Sequence, residues 1–346
     1  DPTTLELKDH DPKYFSTVQA PFDYNADTLC PEFDEFINRI TEQDIATAQM
    51  IQEMFGYCIS EGNPKHKVFY LYGDVARNGK SALAKIICGL IGWGNVSTLS
   101  LDQIAGENSH ILTSLVGKQI NFADEISSKF IESSRLTAIS AEGVVEINPK
   151  NKPSYTYPIK AKFIICCNDI PRFKDSQGMK HRMISIPFSH HIKEEDRIER
   201  YDEILLEKEG SGILNWAIKG IAILRESKKF STNERSLEDM HDNMLQSNST
   251  YAYMEETFVF GEYEDEFTTK ELYGNAQTKD CEPTAFRLFC KDTGISTTAF
   301  LTFQKELKRF ANETGKIKQK RKGVSKMRRY TGLKFRSMMT NSLEDF

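Results

Sequence analysis

Apolar residues gather into short continuous runs in the middle of the chain. The five runs are "VFYLY" (68–72), "VSTLSL" (96–101), "QINFA" (119–123), "KFIICC" (162–167) and "MISIPF" (183–188). Segments with a helical period separate them. Runs that are apolar on both faces are typical of strands covered by helices on both sides of a parallel sheet. The pattern therefore predicts an α/β fold with a parallel sheet, in a domain over residues 67–230.

The first 66 residues show helical patterns instead. In "CPEFDEFINRI", Pro31 occupies a favoured helix start, and "TEQDIATAQMIQEMFG" offers Thr41 as a cap and Gly56 as a stop. We therefore expect residues 1–66 to form an accessory helical region, or collar, before the sheet domain.

The last hundred residues have a different order of elements. A polar stretch (231–249) precedes a segment, 251–346, in which three helical patterns are followed by a basic two-stranded ribbon. "TTKE" (268–271) has the form of a capping box, and "STTAFLTFQKELKRF" has the clearest helical period. The ribbon is expected to turn at Gly323. Three helices and a basic hairpin predict a winged-helix-like domain.

Charge is unevenly distributed along the chain. The net charge of the 346 residues is −5, but residues 305–336 hold 13 Lys/Arg and two Glu, a balance of +11. The other 314 residues therefore carry −16. This asymmetry indicates an end that contacts nucleic acid, with a solvated basic face as the alternative.

The composition argues against several other classes of protein. No apolar run reaches the roughly 18–20 residues that a membrane span needs, so no membrane partner is expected. Seven cysteines form no C-x-x-C pair, which argues against a disulfide framework or zinc site and for a reducing cytoplasm. The start, "DPTTLELKDHDPKYF", has no signal-peptide pattern. We expect a cytoplasmic piece of a longer protein.

The segment "GDVARNGKS" (73–81) is close to a phosphate-binding loop. The standard pattern places four residues between the first Gly and Gly-Lys-Ser/Thr, whereas five separate Gly73 from Gly79 here. An apolar strand precedes the segment and an amphipathic helix follows it, as phosphate binding requires. We predict that the extra residue bulges before Asn78. Lys80 would contact the β and γ phosphates of a nucleotide, and Ser81 would ligate Mg²⁺.

Two carboxylates follow the predicted strand "QINFA". Asp124 and Glu125 stand at its end, about 45 residues after the loop. We predict that Asp124 holds Mg²⁺ together with Ser81, and that Glu125 polarises the attacking water. The alternative is an ordinary acidic turn.

Two further polar residues flank strands of the same predicted sheet. Asn168 directly follows "KFIICC", at the strand end, where its amide could orient the water and sense the γ-phosphate. Arg182 precedes "MISIPF", and an arginine that faces a neighbouring subunit's γ-phosphate stabilises transition-state charge. A turn asparagine and a surface arginine are the alternatives.

These elements, in this order, resemble the superfamily 3 helicases, which are AAA+ ring motors of viral, phage and plasmid replication. The resemblance is closest to the C-terminal helicase part of phage and poxvirus primase-helicases, and it covers nearly the whole chain. It implies an AAA+ phosphate-loop core that uses ATP and Mg²⁺. The implied nucleotide-binding residues are Gly73, Asn78, Gly79, Lys80, Ser81 and Asp124. The implied catalytic residues are Lys80, Glu125, the sensor Asn168 and the trans-acting finger Arg182.

The resemblance also implies a ring, with a hexamer expected, that moves along single-stranded or forked DNA. Segment "INPKNKPSY" lies where the family has its DNA-translocating hairpin, so Lys150, Asn151 and Lys152 would contact the strand. In the basic ribbon the candidates for phosphate contact include Lys316, Lys318, Lys320, Arg321, Lys326, Arg328 and Arg329. An upstream primase or polymerase domain in the full-length chain is a further implication.

Two departures and two alternatives remain open. The phosphate loop is one residue longer than the standard pattern, and His181-Arg182 stands where the family often has two arginines. A nucleotide kinase would share the phosphate loop but would not need Arg182 in trans or the hairpin lysines. An origin-binding or loader module could use ATP only as a switch, although such a module does not require the carboxylate of Glu125.

Overall fold

The computed structural model describes residues 4, 6–14, 18–73, 75–106, 108–124, 131, 134–173, 176–274, 285–322 and 327–336. It divides into two compact units, Asp1–Asn243 and Met244–Phe346. The strands of the first unit are β1 (Val68–Tyr72), β2 (Val96–Ser97), β3 (Ile120–Asp124), β4 (Val144–Ile147), β5 (Tyr155–Pro158), β6 (Lys162–Cys167) and β7 (Met183–Pro187). Its helices are α1 (Pro31–Ile40), α2 (Ile45–Ile59), α3 (Lys80–Ile91), α4 (Leu101–Ala105), α5 (Ser134–Ser140), α6 (Ser176–Lys180), α7 (Tyr201–Ser227) and most of α8 (Glu234–Ser247).

Five strands of the first unit form a parallel sheet in the order β2-β3-β6-β1-β7. The predicted α/β fold with a parallel sheet is confirmed. The strand predicted over 96–101 covers only Val96–Ser97 in the structure. It ends early because Ser100 caps α4 and forms a capping box with Gln103. Short 3₁₀ helices at Pro12–Tyr14, Trp93–Asn95, Ser109–Leu115 and Glu194–Asp196 complete the unit.

Alternate residues of the interior strand β1 point into two separate apolar clusters. Phe69 and Leu71 of β1 belong to the cluster that contains α1, α2, α3 and α7, whereas Val68 and Tyr70 belong to the cluster on the other face. All four are fully buried. The strand is therefore apolar at every position because both faces of the sheet are covered.

The second helix differs from its sequence prediction at both ends. The Asp44 carboxylate, and not Thr41, caps α2 by accepting hydrogen bonds from the backbone N–H groups of residues 46 and 47. Thr41 instead follows the end of α1. The helix continues through Gly56, where a Cβ would lie 2.4 Å from the backbone nitrogen of Ile221 in α7. Gly56 is a close-packing position because two helix backbones meet there, and it does not stop the helix.

An antiparallel hairpin extends from the first unit. Strands β4 and β5 pair from Val144 opposite Pro158 to Ile147 opposite Tyr155. The residues of the connecting turn, Lys150–Lys152, are exposed, and Asn151 has a left-handed backbone with φ of 58°. Asparagine tolerates this conformation better than most residues do.

In its described residues, the second unit packs four helices with short strands around an aromatic core. The helices are α9 (Ser249–Thr257), α10 (Thr269–Tyr273), α11 (Phe286–Thr293) and α12 (Phe300–Thr314). The strands are β8 (Phe258–Phe260), β9 (Phe267–Thr268), β10 (Lys318–Lys322), β11 (Met327–Thr331) and β12 (Leu333–Phe335). They form a three-stranded sheet, β10-β11-β9, and a pair, β12-β8.

Two local predictions for this unit agree with the structure. Thr268 caps α10 and Glu271 completes the capping box. The basic ribbon is the antiparallel pair β10-β11, while its predicted turn residue, Gly323, lies outside the described residues.

Candidate nucleotide-binding site

The loop between β1 and α3 lies at the carboxyl edge of the parallel sheet. Gly79 precedes α3 with φ of 89°, a left-handed conformation that glycine adopts without strain. Helix α3 then starts at Lys80, and its first turn contains no acidic residue. The start of a helix carries unsatisfied N–H groups and a partial positive charge, so this edge favours an anion.

Asn78 and Gly73 both contact the backbone of Phe188, just after β7. The Asn78 amide donates hydrogen bonds to the carbonyl oxygens of Val75, at 2.8 Å, and Phe188, at 3.4 Å. A Cβ on Gly73 would lie 2.2 Å from that same Phe188 oxygen, so only glycine fits there. Arg77, just before Asn78, has a left-handed φ of 62°. Asp74 lies outside the described residues.

The Lys80 ammonium lies at the base of the loop. The residue is 7% exposed, and Nζ donates hydrogen bonds to the Gly73 carbonyl oxygen at 2.5 Å and to Asn168 Oδ1 at 3.1 Å. Asn168 follows β6, the strand beside β1. The structure thus brings Lys80 together with the predicted sensor residue.

Ser81 and Asp124 form the second contact of the site. The Ser81 hydroxyl donates a hydrogen bond of 3.1 Å to Asp124 Oδ1, at the end of β3. A hydroxyl and one exposed carboxylate are hard oxygen ligands that fit Mg²⁺, which usually takes one or two protein ligands and completes its shell with water and phosphate. Glu125, the predicted base, lies outside the described residues.

Two cysteines line the floor of the site between these polar groups. Cys166 and Cys167, at the end of β6, are 3% and 4% exposed. Burial raises the pKa of the Cys167 thiol to about 12 and raises the pKa of the Cys166 thiol as well, the latter aided by the Asp124 charge. Both thiols are therefore protonated near neutral pH and act as small apolar groups.

A cavity of about 990 Å³ opens above Lys80, and one of its walls was not predicted from the sequence. That wall consists of Phe36 and Arg39 from α1 and Ile192, Ile198 and Tyr201 from the segment that leads into α7. The Phe36 and Tyr201 rings meet edge to face at 5.6 Å. The spacing of apolar residues in α1 showed which face is buried, but not that this face borders the cavity.

Helix α1 is held in this position by a carboxylate of α7. Glu209 is 8% exposed and accepts hydrogen bonds from the backbone N–H groups of Glu32, at 3.1 Å, and Phe33, at 2.8 Å. These N–H groups belong to the first turn of α1. Backbone N–H groups in the first turn of a helix have no acceptor within their own helix. The contact fixes α1 at the cavity.

Arg182 lies at the opposite edge of the sheet. It precedes β7, whose first residue pairs with Val68 at the start of β1, so about 16 Å of strand separates it from the loop. Its guanidinium donates to the Gly178 carbonyl, and its Nε is buried without a hydrogen-bond partner among the described residues. Arg182 therefore does not reach the cavity of its own chain.

Some of the residues predicted to contact DNA are exposed to solvent, whereas others form ion pairs with glutamates of the same chain. Lys150, Asn151 and Lys152 are exposed at the hairpin tip, and the His110 ring contacts the Asn148 carbonyl beside it. Lys318 and Lys320 are exposed on β10.

Lys316 and Arg329 are paired instead. Lys316 binds Glu255 at 2.8 Å, and Arg329 binds Glu266 at 3.2 Å. These ion pairs reduce the positive charge that the ribbon presents to a ligand. The side chains of Arg321 and Arg328, and all of Lys326, lie outside the described residues.

Two protein families match parts of the chain. Residues 1–42 match a family described as D5 N terminal like, and residues 71–182 match a family of unknown function, DUF5906. The first match includes α1, and the second begins at the end of β1 and ends at Arg182. Phe36 and Arg39 of the cavity wall thus fall in the first matched segment and Lys80 in the second, whereas Ile192, Ile198 and Tyr201 lie outside both.

Two solved structures of the NrS-1 C-terminal region, both of its A form without ligand, resemble the chain. One has a TM-score of 0.51 and 13% identity, over 90% of this chain and 80% of that one. The other has a TM-score of 0.51 and 12% identity, over 92% and 77%. At this identity the likeness concerns the fold alone. The search of curated proteins found no match.

The described residues were also compared with what a membrane-spanning helix and a metal-binding cluster require. None of the described helices is both long and apolar enough to cross a membrane. Within the same residues, no group of three or more His, Cys, Asp or Glu side chains is placed to hold a metal ion.

Proposed function

We propose that the chain is an ATP-dependent replicative DNA helicase of the superfamily 3, AAA+ type, whose first unit binds and hydrolyses ATP with Mg²⁺. The observation that carries the proposal is the position of Lys80 between Gly73 and Asn168, with Ser81 bonded to Asp124 beside it. One ammonium, one hydroxyl and one carboxylate at a helix start form the set that phosphate-loop enzymes use.

The strand order supports this position for a ligand. The chain leaves β1 toward β2 on one side of the sheet, and β7 later returns on the other side of β1. In open α/β sheets, ligands bind outside the carboxyl ends of strands where the order reverses in this way. The Lys80 cavity lies at that point of the sheet.

Each residue then has a distinct role in hydrolysis. The α3 N–H groups and Lys80 would bind the phosphates, and Ser81 and Asp124 would hold Mg²⁺, which neutralises charge on the phosphate oxygens. Asn168 would orient the attacking water, and Glu125 would accept its proton. Phe36, Arg39 and Tyr201 would contact the nucleoside and exclude water from it.

A homo-oligomer completes the site in this proposal. Because Arg182 lies at the far edge of its own sheet, it can stabilise a γ-phosphate only in a neighbouring subunit. Such an arginine contributes about 10³–10⁵ to the rate. A ring, expected to be a hexamer, supplies every site with a neighbour's Arg182.

The proposed track is single-stranded or forked DNA. The exposed lysines at the hairpin tip can bind phosphates without selecting bases. The second unit would act as a winged-helix-like domain on DNA. The D5 N terminal-like segment and the NrS-1 fold likeness support a place among primase-helicase proteins, with a primase or polymerase domain upstream in the full-length chain.

Steady-state ATP hydrolysis tests the proposal, measured with and without single-stranded DNA over a range of protein concentrations. Lys80→Ala should lower the rate by about 100-fold or more, as loss of a preorganised donor does. Lys85→Ala, an exposed lysine of the same helix, is the control and should retain wild-type hydrolysis.

Two further variants test the ring and the track. Arg182→Ala should abolish the rise of turnover with protein concentration, and Lys150→Ala/Lys152→Ala should abolish stimulation by DNA while basal hydrolysis remains. Hydrolysis that is independent of concentration and insensitive to both changes would instead indicate a monomeric nucleotidase or kinase.

A further inference from the structure

The outer face of α12 in the second unit is basic. Phe303, Leu307, Phe310 and Ala311 form the buried side of the helix. Lys305 projects opposite that side, with Lys308 and Arg309 within roughly 60° of it around the helix axis. All three cations are exposed. We refer to Lys305, Lys308 and Arg309 as the α12 cation face.

The two acidic residues of α12 border this face on the side of Arg309, within about 60° of it around the helix axis, and bond to α9. Glu306 accepts a hydrogen bond of 2.6 Å from the Thr250 hydroxyl, and Glu313 accepts one of 2.9 Å from the Tyr251 hydroxyl. Both donors belong to α9. Both carboxylates are thus held against α9, at the flank where the Arg309 charge also acts on the Tyr251 hydroxyl. The α12 cation face therefore carries three positive charges with two carboxylates along one edge.

None of the three cations has an ion-pair or hydrogen-bond partner among the residues that the structure describes. This distinguishes them from Lys316 and Arg329 of the ribbon region, which bind Glu255 and Glu266. Three like charges within about 6 Å of helix rise repel one another in the free protein. A polyanion that contacts all three would remove that repulsion.

The shape of the face favours a duplex over a single strand. Single-strand sites combine a basic groove with exposed aromatic rings on which bases stack. The α12 cation face is convex, and Phe303 and Phe310 of this helix are fully buried. A helix with its side chains is about 10–12 Å wide, which matches the roughly 12 Å major groove of B-form DNA.

We propose that the α12 cation face binds the phosphates of double-stranded DNA. The choice of DNA as the polyanion rests on the proposed function, whereas the face itself does not depend on ATP hydrolysis. The contacts are to phosphates and give affinity without sequence selection. In this arrangement the second unit holds the duplex and the first unit acts on a single strand.

The test compares binding of a fluorescent 20-base-pair duplex and of one of its strands alone, by anisotropy, from 50 to 200 mM KCl. Lys305→Gln/Lys308→Gln/Arg309→Gln removes the face. Lys270→Gln/Arg287→Gln/Lys291→Gln removes the same charge from α10 and α11 of the same unit and is the control.

The triple variant of α12 should weaken duplex binding at least tenfold at 50 mM KCl. It should also reduce the slope of log affinity against log salt by about 2–3, because each lost phosphate contact removes about 0.9. The control should keep the wild-type slope. An unchanged slope in the α12 variant, an equal loss in the control, or an equal loss of single-strand binding would each overturn the proposal.

The outcome is independent of the proposed ATPase. If Lys80→Ala hydrolyses ATP normally, the proposed function fails, while the duplex slope still decides the role of α12. If the slope is unchanged while Lys80→Ala is inactive, only the α12 proposal fails.

Discussion

The Lys80 ammonium donates a hydrogen bond of 3.1 Å to Asn168 Oδ1, although the two residues are 88 positions apart in the sequence. They meet because β1 and β6 are neighbours, and Lys80 follows the first strand while Asn168 follows the second. The predicted phosphate-binding residue and the predicted sensor therefore share one contact. In the proposed function, a phosphate that binds the Lys80 ammonium would therefore compete with this hydrogen bond.

Asn168→Asp should weaken ATP binding at least tenfold, because a carboxylate at this position would pair with Lys80 and repel the phosphates. Asn168→Ala should leave binding within about threefold of wild type and slow turnover instead. Equilibrium binding of a fluorescent ATP analogue and single-turnover hydrolysis separate the two effects. Equal affinity of the two variants would contradict this role for the contact.

Asp124→Asn should raise the Mg²⁺ concentration that supports half-maximal hydrolysis by about tenfold or more, because it removes the carboxylate beside Ser81. Asp169→Asn is the matched control, since Asp169 also lines the cavity but makes no contact with Ser81. A Mg²⁺ titration of the hydrolysis rate checks both variants. A similar shift in the control would indicate a general loss of negative charge.

Arg39→Ala should weaken ATP binding by roughly threefold to tenfold, about the value of one hydrogen bond or stacking contact. It should leave binding of inorganic tripolyphosphate unchanged, because Arg39 belongs to the cavity wall formed by α1 and not to the phosphate loop. Arg225→Ala, on an exposed position of α7, serves as the control. Competition against a fluorescent nucleotide measures both ligands.

Gly56→Ala should destabilise the protein by about 1–3 kcal/mol or more, because the added methyl would overlap the α7 backbone. Gly94→Ala is the control, since a Cβ there has no described neighbour within 4 Å. Urea unfolding followed by circular dichroism gives both free energies. Similar midpoints for the two variants would show that α2 and α7 can separate without cost.

Lys162→Met should remove a specific part of the pH dependence of stability. Burial lowers the pKa of Lys162 to about 8 from 10.5, although its ammonium donates to the Cys58 and Ser60 carbonyls. Between these two pH values the unfolded chain holds a proton that the folded chain lacks, so the Lys162 contribution to unfolding free energy rises with pH. Below about pH 8 both states are protonated and the burial penalty is fully present.

The difference between the wild-type and Lys162→Met profiles isolates this contribution from the titrating thiols. It should rise by about 3 kcal/mol between pH 8 and 10.5, the order of magnitude that the pKa shift corresponds to. Urea unfolding at several pH values measures it. Parallel profiles would mean that Lys162 keeps its ordinary pKa in the fold.

Several local features were predictable because neighbouring residues decide them. The strands at 68–72 and 162–167 follow from continuous apolar runs, and the start of α3 follows from Gly79 and the helical pattern after it. The capping box at Thr268 and Glu271 needs only two side chains three residues apart. The error at Gly56 shows the limit of such rules, because a glycine also permits close helix packing.

The candidate site was predictable only in part, for the same reason. The sequence identified Lys80, Ser81, Asp124 and Asn168 through strand ends and motif spacing, since the carboxyl ends of parallel strands meet at one edge. It did not identify the α1 wall, because Glu209 places that helix through contacts more than 170 residues away.

The sequence by itself determined the order of elements, the alternation of strands and helices, and the types of chemical group at the strand ends. These depend on composition and spacing within a few residues. The tertiary structure decided which of those groups meet, that Arg182 lies away from its own cavity, and that Glu306 and Glu313 of α12 bond to α9. Those outcomes depend on packing between segments distant in sequence, which local spacing does not encode.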